Sequence, residues 1–194
     1  MGAIRPIVYI GEPVLRQKAR RVRDFDGKLH VLLDDMRETL LAAPGVGLAA
    51  PQVGVPQRVI VVRLPDDEES VEEYGEQAGV WYEVVNPEII RSSREKVDGI
   101  EACLSVPGYF GKVERHVEIV VRGQDRNGKE IRVRARDWLA RVFQHEIDHL
   151  DGILYIDRAS EVWEAKDQPS PAEDQADKAT SAPDIPTLTG NSTS

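Results

Sequence analysis

Cysteine is nearly absent. The single thiol, Cys103, permits no intrachain disulfide, so nothing implies an oxidising compartment. Long apolar runs are missing too: no segment approaches the roughly 20 residues that a membrane-crossing helix needs. The first residues, MGAIRPIVYIGEP, have no apolar stretch behind a basic start and are not a Ser/Arg-rich transit sequence, so the expectation is a cytosolic protein without membrane contact. Positive charge is also short, with 25 Lys and Arg against 34 Asp and Glu. The deficit is local. Residues 66–76 hold seven acidic side chains and no basic one, and residues 160–194 hold seven acidic and two basic. Without these stretches the chain carries a surplus of three positive charges, compatible with docking near an anionic assembly but no argument for specific nucleic-acid binding.

The hydrophobic 41% of 194 residues suffices for one core, so the chain is expected to form one domain over 1–160. Residues 161–194, rich in Ala, Asp, Pro, Ser and Thr, read as an acidic disordered tail, with one helical turn allowed near 161–166. Residues 7–10 are an edge strand or extended arm, and the basic segment from Arg16 to Arg23 is a solvated face. A helix is expected over 26–43, with Leu29, Leu32, Leu33, Met36, Leu40 and Leu41 as its apolar stripe and Asp24 or Asp26 as its cap. Strands are expected at 58–64, 81–85, 88–91, 113–121 and 131–135, with a hairpin turn at Asp125-Arg126-Asn127-Gly128 and a solvated acidic loop over 66–79. His30 and His116 lack ligand-spaced partners and are expected on the surface. Arg115 falls among the apolar positions of an alternating strand, as an edge or paired residue or as a binder of a carboxylate or peptide carbonyl.

Residues 138–152, WLARVFQHEIDHLDG, carry the strongest chemical signal. His145 and His149, four apart on a helix, share one face and can converge on a divalent metal. Glu146 is then beside the metal, where a carboxylate can take a proton from water that the metal has acidified. Trp138 and Val142 extend that face as an apolar stripe able to wall a pocket. Two imidazoles do not complete a catalytic site, and an isolated match is equally compatible with a structural helix.

Two further stretches bear on the third ligand. In Gly45-Val46-Gly47-Leu48-Ala49-Ala50-Pro51-Gln52 the small residues let a ligand or another backbone approach closely, and the Gln52 amide could donate to an oxyanion. The same residues could form a tight packing turn. In Glu101-Ala102-Cys103-Leu104-Ser105 the thiol is a third metal ligand, a nucleophile activated by His145, or a small buried residue.

In that order, the three stretches resemble the GxGxAAxQ, EGCLS and HExDHLxG motifs of peptide deformylase, the metallohydrolase that removes the N-formyl group from formylmethionine on newly made chains. The likeness spans roughly residues 5–160. It implies an α+β fold, with antiparallel sheets around a central helix that carries the two histidines. It also implies Cys103, His145 and His149 as ligands to one divalent metal, ferrous iron first, with zinc, nickel or cobalt accommodated by the same set. Glu146 would move the proton, Gln52 and the backbone N–H of Leu104 would hold the oxyanion, and the backbone around Val46 and Gly47 would pair with the peptide. The methionine side chain would enter a pocket including Val46, Trp138 and Val142, with Ala102 and Arg115 also at the substrate. The polar Arg141 is expected to reach over the pocket rim. The family implies formyl-Met nascent chains as substrate and delivery near the ribosomal exit tunnel. Ala102 stands where the motif has glycine, which predicts a tuned approach for the peptide, not loss of function. Two other readings are a zinc endopeptidase with Glu161 or Glu164 as third ligand, and a non-catalytic ribosome-associated domain with a structural metal.

Overall fold

The computed structural model describes residues 2–167. The apolar run in strand β2 (Val59–Arg63) shows how the layers are built. Side chains alternate across a strand, and here both faces are buried. Ile60 and Val62 join a cluster with Leu139, Phe143 and Ile147 of helix α3 (Asp137–Leu150), whereas Val59 and Val61 join one with Leu32, Leu33 and Met36 of helix α1 (Gly27–Leu41). The sheet between these helices has five strands in the order β1 (Gly47–Ala49), β2, β3 (Trp81–Ser92), β6 (Glu118–Gln124) and β7 (Glu130–Arg136). A second sheet has the order β4 (Lys96–Cys103), β5 (Val106–His116) and β8 (Glu161–Glu164). Every strand pair in both sheets is antiparallel. Helix α3, almost wholly buried, runs through the middle, and no described helix is long and apolar enough to cross a membrane.

Local signals account for most boundaries. Asp26 caps α1, its carboxylate accepting from the backbone N–H groups of Lys28 and Leu29 at 3.0 and 3.2 Å. Leu41, included in the expected stripe, points outward. Residues 7–10 form an extended arm: the Val8 N–H donates to the Gln52 carbonyl at 2.9 Å and the Ile10 N–H to the Ser105 carbonyl at 2.8 Å. His30 and His116 are half-buried, each with one ring nitrogen on a backbone carbonyl.

Three expectations need correction. The acidic stretch 66–79 contains helix α2 (Glu68–Tyr74), because the Asp67 side chain accepts from Ser70 N–H at 3.0 Å and Glu68 and Glu69 complement the helix dipole. The alternation over 113–121 is not one strand: it passes through Val117 from β5 in one sheet to β6 in the other. The domain does not end at 160. Strand β8 pairs with β5 from Tyr109↔Glu164 to Lys112↔Glu161, and Trp163 stacks on Phe110 with ring centroids 6.4 Å apart. That aromatic contact is between residues 53 apart in sequence, beyond the reach of a local composition argument. The rest of the expected tail, 168–194, lies outside the described residues.

Candidate metal centre

Strand β4 and helix α3 bring three candidate ligands together. Sγ of Cys103 and one ring nitrogen each of His145 and His149 lie within 4.8 Å of one another. All three residues are buried, and Cys103 Sγ is 3.3 Å from His149 Nε2. His145 Nδ1 is committed to Glu101 Oε2 at 2.9 Å, which leaves its Nε2 for a metal. A thiolate with two imidazoles, oriented by a carboxylate, fits a borderline divalent cation, so the donor set suits the group that the motifs imply.

Cys103 and His145 of this centre line a cleft of about 550 Å³. Val46, Gly47, Gln52, Ala102, Leu104, Trp138, Val142 and Glu146 all line it, from three separate stretches of chain. Gln52 is oriented by its own loop: Ala49 N–H donates to Oε1 at 2.8 Å, so Nε2 faces Cys103 Sγ at 3.5 Å and Ser105 Oγ at 3.3 Å. Gly47 is required by close approach, because a Cβ there would lie 2.4 Å from Glu146 Oε1. Ala102 falls at the irregularity between Glu101 and Cys103 in the β4–β5 pairing, so its methyl stays exposed at the cleft.

Arg115, expected at the substrate, is not among the residues that line the cleft. It is 4% exposed and all three guanidinium nitrogens are engaged, with Nε and Nη2 on Glu101 at 2.8 and 2.9 Å and Nη1 on Asp148 at 2.6 Å. Its place among apolar positions was the signal of an inward, paired side chain. Arg141 is likewise buried, not at the rim, and donates to Glu101 Oε1 at 2.9 Å. Asp148 also accepts two bonds from Arg158 of helix α4 (Tyr155–Arg158), at 2.6 and 2.8 Å. Glu101, Asp148 and Arg158 were not among the expected site residues. Glu101 was legible in principle, since it lies two positions from Cys103 and thus on the same strand face.

Electrostatics follow this network. Burial pushes the Glu101 carboxyl up, but hydrogen bonds from Arg115 and His145 outweigh it and bring the pKa to about 2. Burial alone would lower the His145 pKa; its hydrogen bonds with Cys103 and Glu101 raise it well above the ordinary value. Burial and the neighbouring His145 charge lower His149. Glu146 is driven up to about 7, mainly by burial. Its Oε2 is buried with no hydrogen-bond partner among the described residues.

The geometry has close counterparts. The family model for polypeptide deformylase matches residues 4–164. A peptide deformylase of Thermomicrobium roseum is 46% identical over 92% of this chain and 98% of its own length. Another, of Halothermothrix orenii, is 50% identical over 80% of this chain and 93% of its own. Among solved structures, the Ehrlichia chaffeensis enzyme in complex with actinonin is 41% identical, with a TM-score of 0.74 over 82% of this chain and 90% of that one. The Acinetobacter baumannii class I type b enzyme bound to Met-Ala-Ser is 35% identical, with a TM-score of 0.74 over 81% of this chain and 99% of that one. The three motif stretches meet at one cleft, and the likeness to these relatives runs through the whole described fold: the chain belongs to the polypeptide deformylase family.

Proposed function

We propose that this chain's deformylase chemistry, the hydrolysis of the N-formyl group of formylmethionine on newly synthesised polypeptides, is carried by Cys103, His145 and His149 as ligands to one divalent cation, with Glu146 as the proton carrier. The observation that carries this assignment is the unpartnered Glu146 Oε2, buried beside three ligand atoms that lie within 4.8 Å of one another. When bound, the cation supplies Lewis acidity at the formyl carbonyl and at the attacking water. Glu146 accepts the proton of that water and returns it to the leaving amine. Gln52 Nε2, aimed by the Ala49 bond, and the backbone N–H of Leu104 donate to the oxyanion. The peptide adds alongside β1, the edge strand that follows Val46, and its methionine side chain enters between Val46, Trp138 and Val142. Ala102 borders the approach. A Met-Ala-Ser peptide, bound by the Acinetobacter baumannii relative, is the kind of product that deformylation leaves.

Ferrous iron is our first assignment, and the same donors accept zinc, nickel or cobalt. The proposed setting is the cytosol, at nascent chains leaving the ribosome, without specific contact to nucleic acid. The endopeptidase alternative lacks its ligand: Glu161 and Glu164 lie on β8, opposite Lys112 and Tyr109, and the described metal-type cluster contains neither. A purely structural metal would not need Glu146. Anaerobic purification, metal content per chain, and formate release from a formyl-Met tripeptide beside its acetyl counterpart test the reading. One metal with formate released and the acetyl group left intact is expected; bound metal without formate would contradict it.

A further inference from the structure

Helix α3 turns Trp138, Arg141, Val142 and His145 to the cleft, and Arg141 brings a permanent charge into a wall that is otherwise mostly apolar. Its guanidinium is held from behind: Nη1 donates to Glu101 Oε1 at 2.9 Å and to the Val113 carbonyl at 2.7 Å, and Nη2 to the Val97 carbonyl at 2.8 Å. Among the described residues these bonds leave Nε–H and one N–H of Nη2 without an acceptor. The space for the guanidinium exists because residue 99 is glycine. A Cβ there would lie 2.6 Å from Cζ and Nη2 and 2.8 Å from Nε of Arg141. Three guanidinium groups, of Arg115, Arg141 and Arg158, are paired with the two carboxylates of Glu101 and Asp148.

We propose that Arg141, housed in the space that Gly99 leaves, is a specificity-determining residue: it gives the pocket for the substrate's first side chain a hydrogen-bond-donating base. The chain therefore also deformylates N-formyl peptides whose first side chain ends in an acceptor, methionine sulfoxide above all. The inference rests on the deformylase reading and extends it. A thioether is a weak acceptor and needs little from such a base, so methionine is still taken. Its sulfoxide has nearly the same length and a strong acceptor oxygen, which an apolar pocket would strip of water without replacement. The Arg141 donor replaces that lost bond. The reaction is unchanged: water cleaves the formyl C–N bond, giving formate and the free amine.

The test measures kcat/KM for formyl-Met-Ala-Ser and its methionine-sulfoxide counterpart on single metal-loaded preparations of the wild type, Arg141→Met, Arg141→Lys and Gly99→Ala. The ratio of the two substrates cancels differences in metal loading or folded fraction. The wild type should cleave both within about tenfold of each other, and Arg141→Met should lower the sulfoxide-to-methionine ratio by about 10- to 100-fold, the range of one charge-assisted bond. Gly99→Ala should shift the ratio the same way by displacing the guanidinium, and Arg141→Lys should restore part of it. An unchanged ratio in Arg141→Met, or a wild type that cleaves formyl-methionine but not the sulfoxide, overturns the inference. Failure of the wild type on both peptides overturns the deformylase reading beneath it.

Discussion

Glu101 Oε2 lies 2.9 Å from Nδ1 of His145, and both groups are buried. The bond fixes which imidazole nitrogen faces Cys103 and raises its basicity as a ligand. Glu101→Gln should therefore weaken metal affinity by about 10- to 100-fold, the usual cost of losing a carboxylate behind a metal-bound histidine. Competition with a chelator checks this, and unchanged affinity would remove Glu101 from the centre.

Arg115 separates a substrate role from an architectural one. Arg115→Ala leaves the buried Glu101 without its bidentate partner and takes one of two arginines from Asp148, so a stability loss of about 3–5 kcal/mol is expected in denaturant unfolding. A protein of wild-type stability with only KM raised would restore the substrate role.

The β8 strand sets where the domain ends. A chain cut after residue 160 loses the Phe110–Trp163 stack and the β5–β8 ladder, and should unfold at a clearly lower temperature than one cut after 167. Equal melting temperatures would mean that β8 adds nothing to the fold.

Asp157 supplies a pH dependence away from the metal. Burial raises its pKa, but the Arg16 bonds, the Leu154 N–H and the Arg158 charge outweigh this and leave it lowered. A carboxylate depressed in the folded state adds stability above its unfolded pKa, about 3.9 for Asp, and that stability is lost as pH falls through the folded value. The stability gap between wild type and Asp157→Asn should thus be present at pH 7 and shrink below about pH 4. A gap independent of pH would exclude the ion pair as its source.

How legible all this was depended on the range of the interaction. The α1 stripe, its Asp26 cap, the hairpin at 125–128 and the histidine pair on α3 are set within a few residues, so periodicity and turn chemistry found them. The α2 helix was missed because its acidic composition hides a capping residue, Asp67, whose effect is geometric. The Glu101–Arg115–Asp148–Arg158 chain was missed because its members come from β4, β5, α3 and α4, and only the fold makes them neighbours. Arg141 was misplaced for a related reason: the room it occupies is supplied by Gly99 on another element.

The central claim is tested most directly by comparing Glu146→Ala and Cys103→Ala for metal content and formate release under anaerobic conditions. Glu146→Ala should keep one metal per chain and lose about 10²- to 10⁴-fold in kcat, the range of general acid–base catalysis, whereas Cys103→Ala should lose the metal itself. Near wild-type turnover in Glu146→Ala, or full metal retention in Cys103→Ala, would contradict the account.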